Sequence, residues 1–296
     1  MNNNFIDLTQ RICIPFGVQC NLHCVYCYRK NGVLPDVPND YTDIFKEFLV
    51  QLEDKIVVAS GGEPLLYYPK IVEVFSFLDK SNHKKIMTNG TLLTPEVVNW
   101  LNKNNIECHI SYDGEYTKEL RGFNIFENKR IVDLVKHINL LKVCSVITNK
   151  NSDAKVVYDN IVSILDRDDF IYQCEPLNKC GSNTDLLRKD FNFKAFEYSL
   201  TQLKMIPNSL YEKIDKDKMY NINYLLDGRI VGMIDMFPYG NILMNKNEFL
   251  EVYHNRFKKE EEDCKSCSIY DSCMHVKESK DEFTCKISKI KHELQY

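Results

Sequence analysis

The chain has 296 residues, 44% of them hydrophobic and 27% charged, with a formal net charge of −4. That length suits one large or two modest domains, and the composition is that of a folded globular protein, which sets aside disorder and a membrane-embedded fold. The slightly acidic balance offers nothing to a phosphate backbone: Lys84-Lys85 and Lys258-Lys259 are too short for a basic stripe, so nucleic acid is not an expected partner.

In chain order, residues 1–7 lack the basic and apolar regions of a signal peptide, and no stretch approaches the roughly 18 apolar residues of a membrane span. A cytoplasmic location with no membrane partner is expected. Twelve cysteines in such a chain read as metal ligands or redox-active thiols rather than disulfides. From residue 11 to about 175, short β-rich apolar runs alternate with amphipathic stretches, the mark of repeated βα units and a parallel sheet. Strands are expected at 11–16, 55–59, 85–87, 106–111, 143–148 and 170–174. Helices are expected at 43–52, 69–78, 95–102, 129–140 and 154–165, with Thr94-Pro95 a good N-cap and first-turn pair. The fold class is therefore α/β, a partial (β/α)6 barrel of the TIM type. Beyond about residue 190 come a helix at 193–205, a β-hairpin with arms at 230–236 and 241–244, and a charged tail rich in cysteine. The expected domains are a barrel over 1–190 and a small C-terminal domain over 191–296. The acidic run 260–263 reads as a solvated helix face or loop.

Catalytic groups of (β/α) barrels sit on the loops after the strand ends, so polar residues there carry the most weight. Cys20, Cys24 and Cys27 follow the first strand as a Cys-x3-Cys-x2-Cys run. Iron-sulfur clusters are normally held by four thiolates, so three leave one iron open to a substrate or cofactor. The alternative is a zinc site or three buried thiols; zinc ribbons use paired Cys-x2-Cys knuckles, which this spacing fits poorly. Gly61-Gly62-Glu63-Pro64 follows the second strand, Thr88-Asn89-Gly90 the third, and Ser111-Tyr112-Asp113-Gly114 ends the fourth. Paired glycines let a backbone approach a ligand closely, and a carboxylate offsets the charge of an ammonium group. Asp113-Gly114 reads as a turn.

The cysteine run, with the aromatic Tyr26 before its last cysteine, resembles that of the radical S-adenosylmethionine (SAM) enzymes. That resemblance implies a [4Fe-4S] cluster on Cys20, Cys24 and Cys27 whose open iron is chelated by SAM, with Tyr26 against the adenine. Gly61, Gly62, Glu63 and Pro64 match the family's GGE-type motif, which engages the SAM amino group. Ser111 matches a serine whose hydroxyl meets the SAM carboxylate or ribose. Arg121 or Arg130 would hold the carboxylate, since a guanidinium suits it, and Thr148, ending the fifth strand, is a further candidate. By strand alternation His109 shares a face with Ser111 and reads as a satisfied core histidine.

Over residues 11–285 the chain further resembles the SPASM branch, which includes anaerobic sulfatase-maturating and peptide-modifying enzymes. That branch carries two auxiliary clusters. Here Asn245 and Lys277 stand where two of its cysteines are expected, and no cysteine lies between Cys180 and Cys264. Cys264, Cys267, Cys273 and Cys285 match the ligands of the outer cluster, so the resemblance implies one auxiliary [4Fe-4S] cluster; structural zinc is the alternative. Cys174 and Cys180 bracket the loop after the sixth strand and are candidate hydrogen-atom donors, against inert packing. Cys13, Cys108 and Cys144 read as core.

The implied activity is reductive cleavage of SAM to a 5′-deoxyadenosyl radical and hydrogen abstraction from a peptide or protein, ending in oxidation, crosslinking or epimerisation. Loss of two hydrogens is the favoured outcome, because an auxiliary cluster can accept the second electron. A reductase such as flavodoxin or ferredoxin would supply electrons. The short segment before Arg11 leaves no room for a leader-binding domain and weighs against a ribosomal-peptide substrate. A small-molecule radical SAM dehydrogenase and a non-catalytic iron-sulfur or zinc sensor are the alternatives.

Overall fold

The structure, a computed structural model, describes residues 6–27, 37–177, 183–206, 222–233, 237–264, 266–268 and 281–294. It divides into two compact units. The first comprises Met1–Cys20, Gly32–Met87 and Ile214–Asp271; the second comprises Asn21–Asn31, Thr88–Lys213 and Ser272–Tyr296.

Unit one is built on β1 (Arg11–Pro15), β2 (Ile56–Ser60) and β3 (His83–Thr88), whose last residue passes into unit two. β1 and β2 pair in parallel with Cys13 opposite Val58, and β2 pairs in parallel with β3. Ile12, Ile14, Val57, Val58 and Ala59 are fully buried, as expected of parallel strands covered on both faces. β7 (Ile222–Tyr224) adds to the other side of β1, and β8 (Arg229–Gly232) and β9 (Pro238–Asn241) follow antiparallel, giving the order β3-β2-β1-β7-β8-β9. α1 (Asp43–Val50) starts where Thr42 Oγ1 accepts from Phe45 N, and its Phe48 stacks on Tyr224 of β7 at 5.6 Å. α2 (Tyr68–Ser76) and α9 (Lys246–Cys264) also belong to this unit.

Unit two holds β4 (Glu107–Ser111), β5 (Leu141–Ile147) and β6 (Ile171–Pro176), all parallel, with Ser111 opposite Cys144 and Val146 opposite Glu175. Its helices α3 (Pro95–Lys103), α4 (Thr117–Arg121), α5 (Lys129–Lys136), α6 (Ala154–Leu165), α7 (Thr184–Arg188), α8 (Phe193–Leu203) and α10 (Glu282–Glu293) mostly begin at side-chain caps. Thr94, Asn128, Asp153, Asn192 and Asp281 each accept a first-turn backbone N–H. Tyr158 of α6 packs on Phe170 and on Tyr172 of β6, so α6 covers the face of the sheet that Tyr172 shares. α10 docks through Phe283 on Phe191 and Phe193, through Arg188 on Asp281 at 2.6 Å, and through Lys291, whose Nζ donates to Cys174 O at 2.5 Å and lies 3.7 Å from Glu175.

All six expected barrel strands are present, each within a few residues of its expected bounds. The hairpin differs in register. Its second arm is Pro238–Asn241 rather than 241–244, because Gly240, at φ +137°, lies inside the strand and not at the turn. The strand β7 and the helices α9 and α10 carry too little apolar periodicity to be expected from sequence. β7–β9 extend the β1 edge of unit one, and α10 packs in unit two. No helix among the described residues is long and apolar enough to cross a membrane.

The Asp281 carboxyl is held below its ordinary 3.8: burial opposes ionisation, but the Thr284 backbone N–H and the Arg188 guanidinium outweigh it. A depressed carboxyl stabilises the fold fully above its unfolded value and loses that contribution as pH falls through the folded one. Asp281→Asn is therefore expected to flatten the stability-pH curve below about pH 3.8, measured by urea unfolding along a pH series.

Candidate active site

In unit one, the Gly61-Gly62-Glu63 segment leaves β2 and lies on the chain that leaves β1. Gly62 N donates to Gly17 O at 2.9 Å and Glu63 N to Gln19 O at 2.8 Å. The fit leaves no room for side chains: a Cβ at Gly62 would stand 2.1 Å from Gln19 O, and one at Gly61, where φ is +137°, 2.6 Å from Gly17 O. The paired glycines thus bring the motif against the backbone just before Cys20. Glu63 is fully buried, and its Oε1 accepts from Leu65 N at 3.0 Å, capping the short 3-10 helix Pro64–Tyr67 with Pro64 at its first position. A buried carboxylate is an acceptor suited to a cationic group.

In unit two, the part of the cysteine loop from Asn21 to Cys27 is fixed at both ends by polar knots. At one end Asn21 Nδ2 donates to Thr91 Oγ1 (2.7 Å), Thr91 Oγ1 to Asn89 Oδ1 (2.6 Å), and Asn89 Nδ2 back to Asn21 Oδ1 (2.9 Å), a closed ring of three side chains. At the other, Tyr26 OH donates to Asp113 Oδ2 at 2.5 Å, and Arg121 donates to the same carboxylate through Nε (2.7 Å) and one Nη (3.1 Å). The Arg121 guanidinium also sits 5.5 Å from the Tyr26 ring centre. Burial alone would discharge Arg121, but Asp113 and, less strongly, Tyr26 more than offset it and raise its pKa. Burial pushes the Tyr26 phenol well above its usual range. Between the knots, Val25 N bonds Leu120 O at 2.8 Å, and Cys27 N bonds Cys24 O at 3.3 Å.

The other expected site residues fall as follows. Ser111 ends β4 and is partly accessible. Thr148 is fully buried, its hydroxyl donating to Asn151 Oδ1 at 2.8 Å in the turn after β5. Arg121 faces Asp113, while Arg130 is exposed on α5. His109 is buried with Nε2 on the Glu107 carboxylate, as a satisfied histidine. Cys174 is fully buried; Cys180 and Cys273 lie outside the described residues. Cys264 and Cys267 belong to unit one and Cys285 to unit two, and Cys267 N bonds Cys264 O at 2.8 Å, the same turn that joins Cys24 and Cys27. Cys144, expected in the core, is instead partly accessible on the face of Ser111.

A family model of the radical SAM superfamily matches residues 14–149. The Methanocaldococcus jannaschii protein MJ1227, described as a candidate glycyl-radical enzyme activating enzyme, is 30% identical over 171 residues, which cover 53% of this chain and 70% of that protein. The chain belongs to the radical SAM superfamily. It is also similar to the radical SAM cyclopropyl synthase TigE of Paramaledivibacter caminithermalis, at 26% identity over 263 residues, 77% of this chain and 50% of TigE. The chain spans about half the length of the first curated relatives it matches. Among solved structures, native anSMEcpe with bound AdoMet and Kp18Cys peptide shares the fold at a TM-score of 0.62 and 19% identity, over 96% of each chain.

A radical SAM enzyme holds a [4Fe-4S] cluster and SAM. The donor chemistry fits: none of the described cysteines is in a disulfide, and the loop that carries three of them is tied down by its neighbours. No three His, Cys, Asp or Glu side chains among the described residues converge on one ion. A cubane does not require that, since each thiolate binds a different iron. Sequence reading missed the Asn21–Asn89–Thr91 ring and the part Asp113 plays. Asn89 and Asp113 were visible as polar residues after strands, but their partners Asn21 and Tyr26 lie 68 and 87 residues away in sequence.

Gly62→Ala drives a methyl into backbone that cannot rotate away and is expected to cost about 1–3 kcal/mol and to lower iron uptake, read by thermal melting and iron content. Asp113→Asn leaves the buried Arg121 charge uncompensated and is expected to cost about 3–5 kcal/mol, read by urea unfolding at neutral pH.

Proposed function

We propose that this protein modifies a peptide or protein by hydrogen abstraction at a side chain or α-carbon. The observation that carries the reading is the seating of Gly61-Gly62-Glu63 on the backbone that leads into Cys20. Cys20, Cys24 and Cys27 hold the cluster, and Glu63 offers its carboxylate to the amino group of SAM. Tyr26 and Ser111 position the nucleoside and carboxylate, while Thr148, expected to share that role, is instead buried on Asn151. When bound, cluster and SAM supply hydrogen abstraction from an unactivated C–H bond. The protein contributes orientation, exclusion of water and a route for electrons. Support for a peptide substrate comes from the shared fold with anSMEcpe, solved with bound AdoMet and peptides.

Cys264, Cys267, Cys273 and Cys285 are proposed to hold one auxiliary [4Fe-4S] cluster, and a flavodoxin- or ferredoxin-type protein to donate electrons. Thiolate-metal bonds would add folding free energy to a tail with little core of its own.

Anaerobic reconstitution is expected to give about eight irons and eight sulfides per chain, the content of two four-iron clusters; about four would remove the auxiliary cluster. Triple replacement of Cys20, Cys24 and Cys27 by Ala should halve the iron and abolish SAM cleavage. The dithionite-reduced protein should convert SAM slowly to 5′-deoxyadenosine, and failure with full iron content would sink the enzymatic reading. Glu63→Ala should weaken SAM binding by roughly 1.5–3 kcal/mol, the worth of a charge-assisted contact, measured by calorimetry. The substrate class is tested by incubating the reduced, SAM-loaded protein with synthetic peptides encoded beside its gene; a peptide mass change matched by 5′-deoxyadenosine is the expected result.

A further inference from the structure

The two faces of the β4–β5–β6 sheet differ in chemistry. Ile110, Val143 and Tyr172 share one face, all are buried, and Tyr158 of α6 packs there on Tyr172. Alternation puts Lys142, Cys144 and Val146 of β5 on the other face. His109 and Ser111 of β4 stand opposite the first two, and Gln173 and Glu175 of β6 opposite the last two. Strands of a fully covered parallel sheet are normally apolar on both faces. This face is polar, and Ser111, Cys144, Gln173 and Glu175 keep accessible surface on it.

The charged side chain that stands out here is Lys142, at 4% exposure. The carboxylates of the face each have a partner within unit two: Glu107 is hydrogen-bonded to His109 Nε2, and Glu175 accepts from Gln173 and lies 3.7 Å from Lys291 Nζ. Lys142 makes no hydrogen bond or ion pair with any of the described residues. Its charge does reach along the strand: burial raises the pKa of the Cys144 thiol, and Lys142 is the strongest influence in the opposite direction. A lysine is almost never this buried unless it is paired, and an ammonium taken out of water without a counter-charge is strongly unfavourable. An anion brought by a ligand is the group that such a charge suits. Proteins hold phosphate with several cations or a nest of backbone N–H groups, whereas one ammonium matches the single charge of a carboxylate.

We propose that Lys142 binds a carboxylate of the substrate, so that the protein acts on an acidic peptide. The inference rests on the reading of the substrate as a peptide and deepens it by naming the group that is recognised. Cys144 is the register partner of Ser111, and Lys142 precedes Cys144 by two residues, so along β5 the Lys142 backbone lies roughly 7 Å from the row of the proposed SAM contact. Lys142 is therefore an anchor rather than a catalytic residue. It holds a part of the substrate that does not react, and that binding energy orients the part that does. An Asp or Glu side chain and a free C-terminus both offer the required carboxylate.

The test needs neither SAM cleavage nor a known substrate. The full chain, reconstituted with iron and sulfide and carrying lysine labelled at the ε-carbon, is titrated by NMR with N-acetylated tripeptides and with inorganic phosphate. The tripeptides are Gly-Glu-Gly amide, Gly-Gln-Gly amide, and Gly-Gln-Gly with a free C-terminus. The Lys142 signal is the one lost in Lys142→Met, which keeps the length of the stem and removes the charge. It is expected to shift saturably with at least one acidic tripeptide and not with the neutral amide, and the acid that acts separates a side-chain carboxylate from a terminal one. Calorimetry should show Lys142→Met binding that acid more weakly by roughly tenfold or more, and Lys150→Met, at an exposed lysine, binding it as wild type does. A Lys142 signal that neither acid moves, or that phosphate or the neutral amide moves as far, overturns the proposal. Stability gives a second readout. Lys142→Met should melt no lower than wild type, because it removes a buried charge that no described residue compensates; a marked fall would show a structural ion pair and overturn the anchor. If peptides are modified while Lys142 stays unmoved, the anchor alone fails. If the acid binds and no peptide is modified, the peptide-modifying reading fails instead, and the carboxylate site stands.

Discussion

Asp113 is a carboxylate with no accessible surface, and three segments of unit two are held by what that requires. An ionised group sealed from water persists only if protein donors replace its hydration. Four do so: Tyr26 OH and Arg121 Nε on Oδ2, and Arg121 Nη and Val146 N on Oδ1. They come from the cysteine loop, from α4 and from β5, so one side chain fixes three segments that are distant in sequence. Arginine suits the task because its planar fork donates twice to one carboxylate while its face lies against the Tyr26 ring. Lysine would supply a point charge without the second bond or the stacking.

Unit one solves a similar problem without charge. Gly61 and Gly62 were expected to let backbone approach a ligand. The close approach observed is between two stretches of the chain itself, the one after β2 and the one after β1, held by backbone hydrogen bonds at 2.8 and 2.9 Å. Backbone hydrogen bonds, with no side chain between the two stretches, hold them in one relative position. Glu63 follows from this placement: its carboxylate is buried because the chain around it is, and the capping bond to Leu65 N fixes its rotamer.

The parts legible in the sequence are those whose cause is local. β1 and β2 are unbroken apolar runs, and Thr94-Pro95 starts α3 where a cap and a proline favour it. The hairpin register was not legible, because Gly240 looks like a turn residue and is placed in a strand by pairing with Ile230. α9 reads as a solvated charged stretch, and α10 is held by Arg188, Cys174 and Glu175, partners that no window of neighbouring residues contains. Of the site, the motif residues were visible and their supports were not. Tyr26 could be marked as an aromatic beside a cysteine, but its hydrogen bond to Asp113 spans 87 positions.

Cys144 lies between these cases, because parity alone could have found it. His109 was put on the face of Ser111 by alternation, and carrying the same count across one strand pair puts Cys144 there too. Register decides the chemistry available to each thiol. Cys174 sits one strand over on the opposite parity and is fully buried, whereas Cys144 is partly accessible on a face where several polar groups engage one another. Glu107 binds His109, Glu175 meets Lys291 and Gln173. The thiol's own contact, at 4.0 Å, is the loosest of that set. Packing and ion pairing therefore account for the carboxylates, the amide and the imidazole on this face more fully than they account for the sulfur.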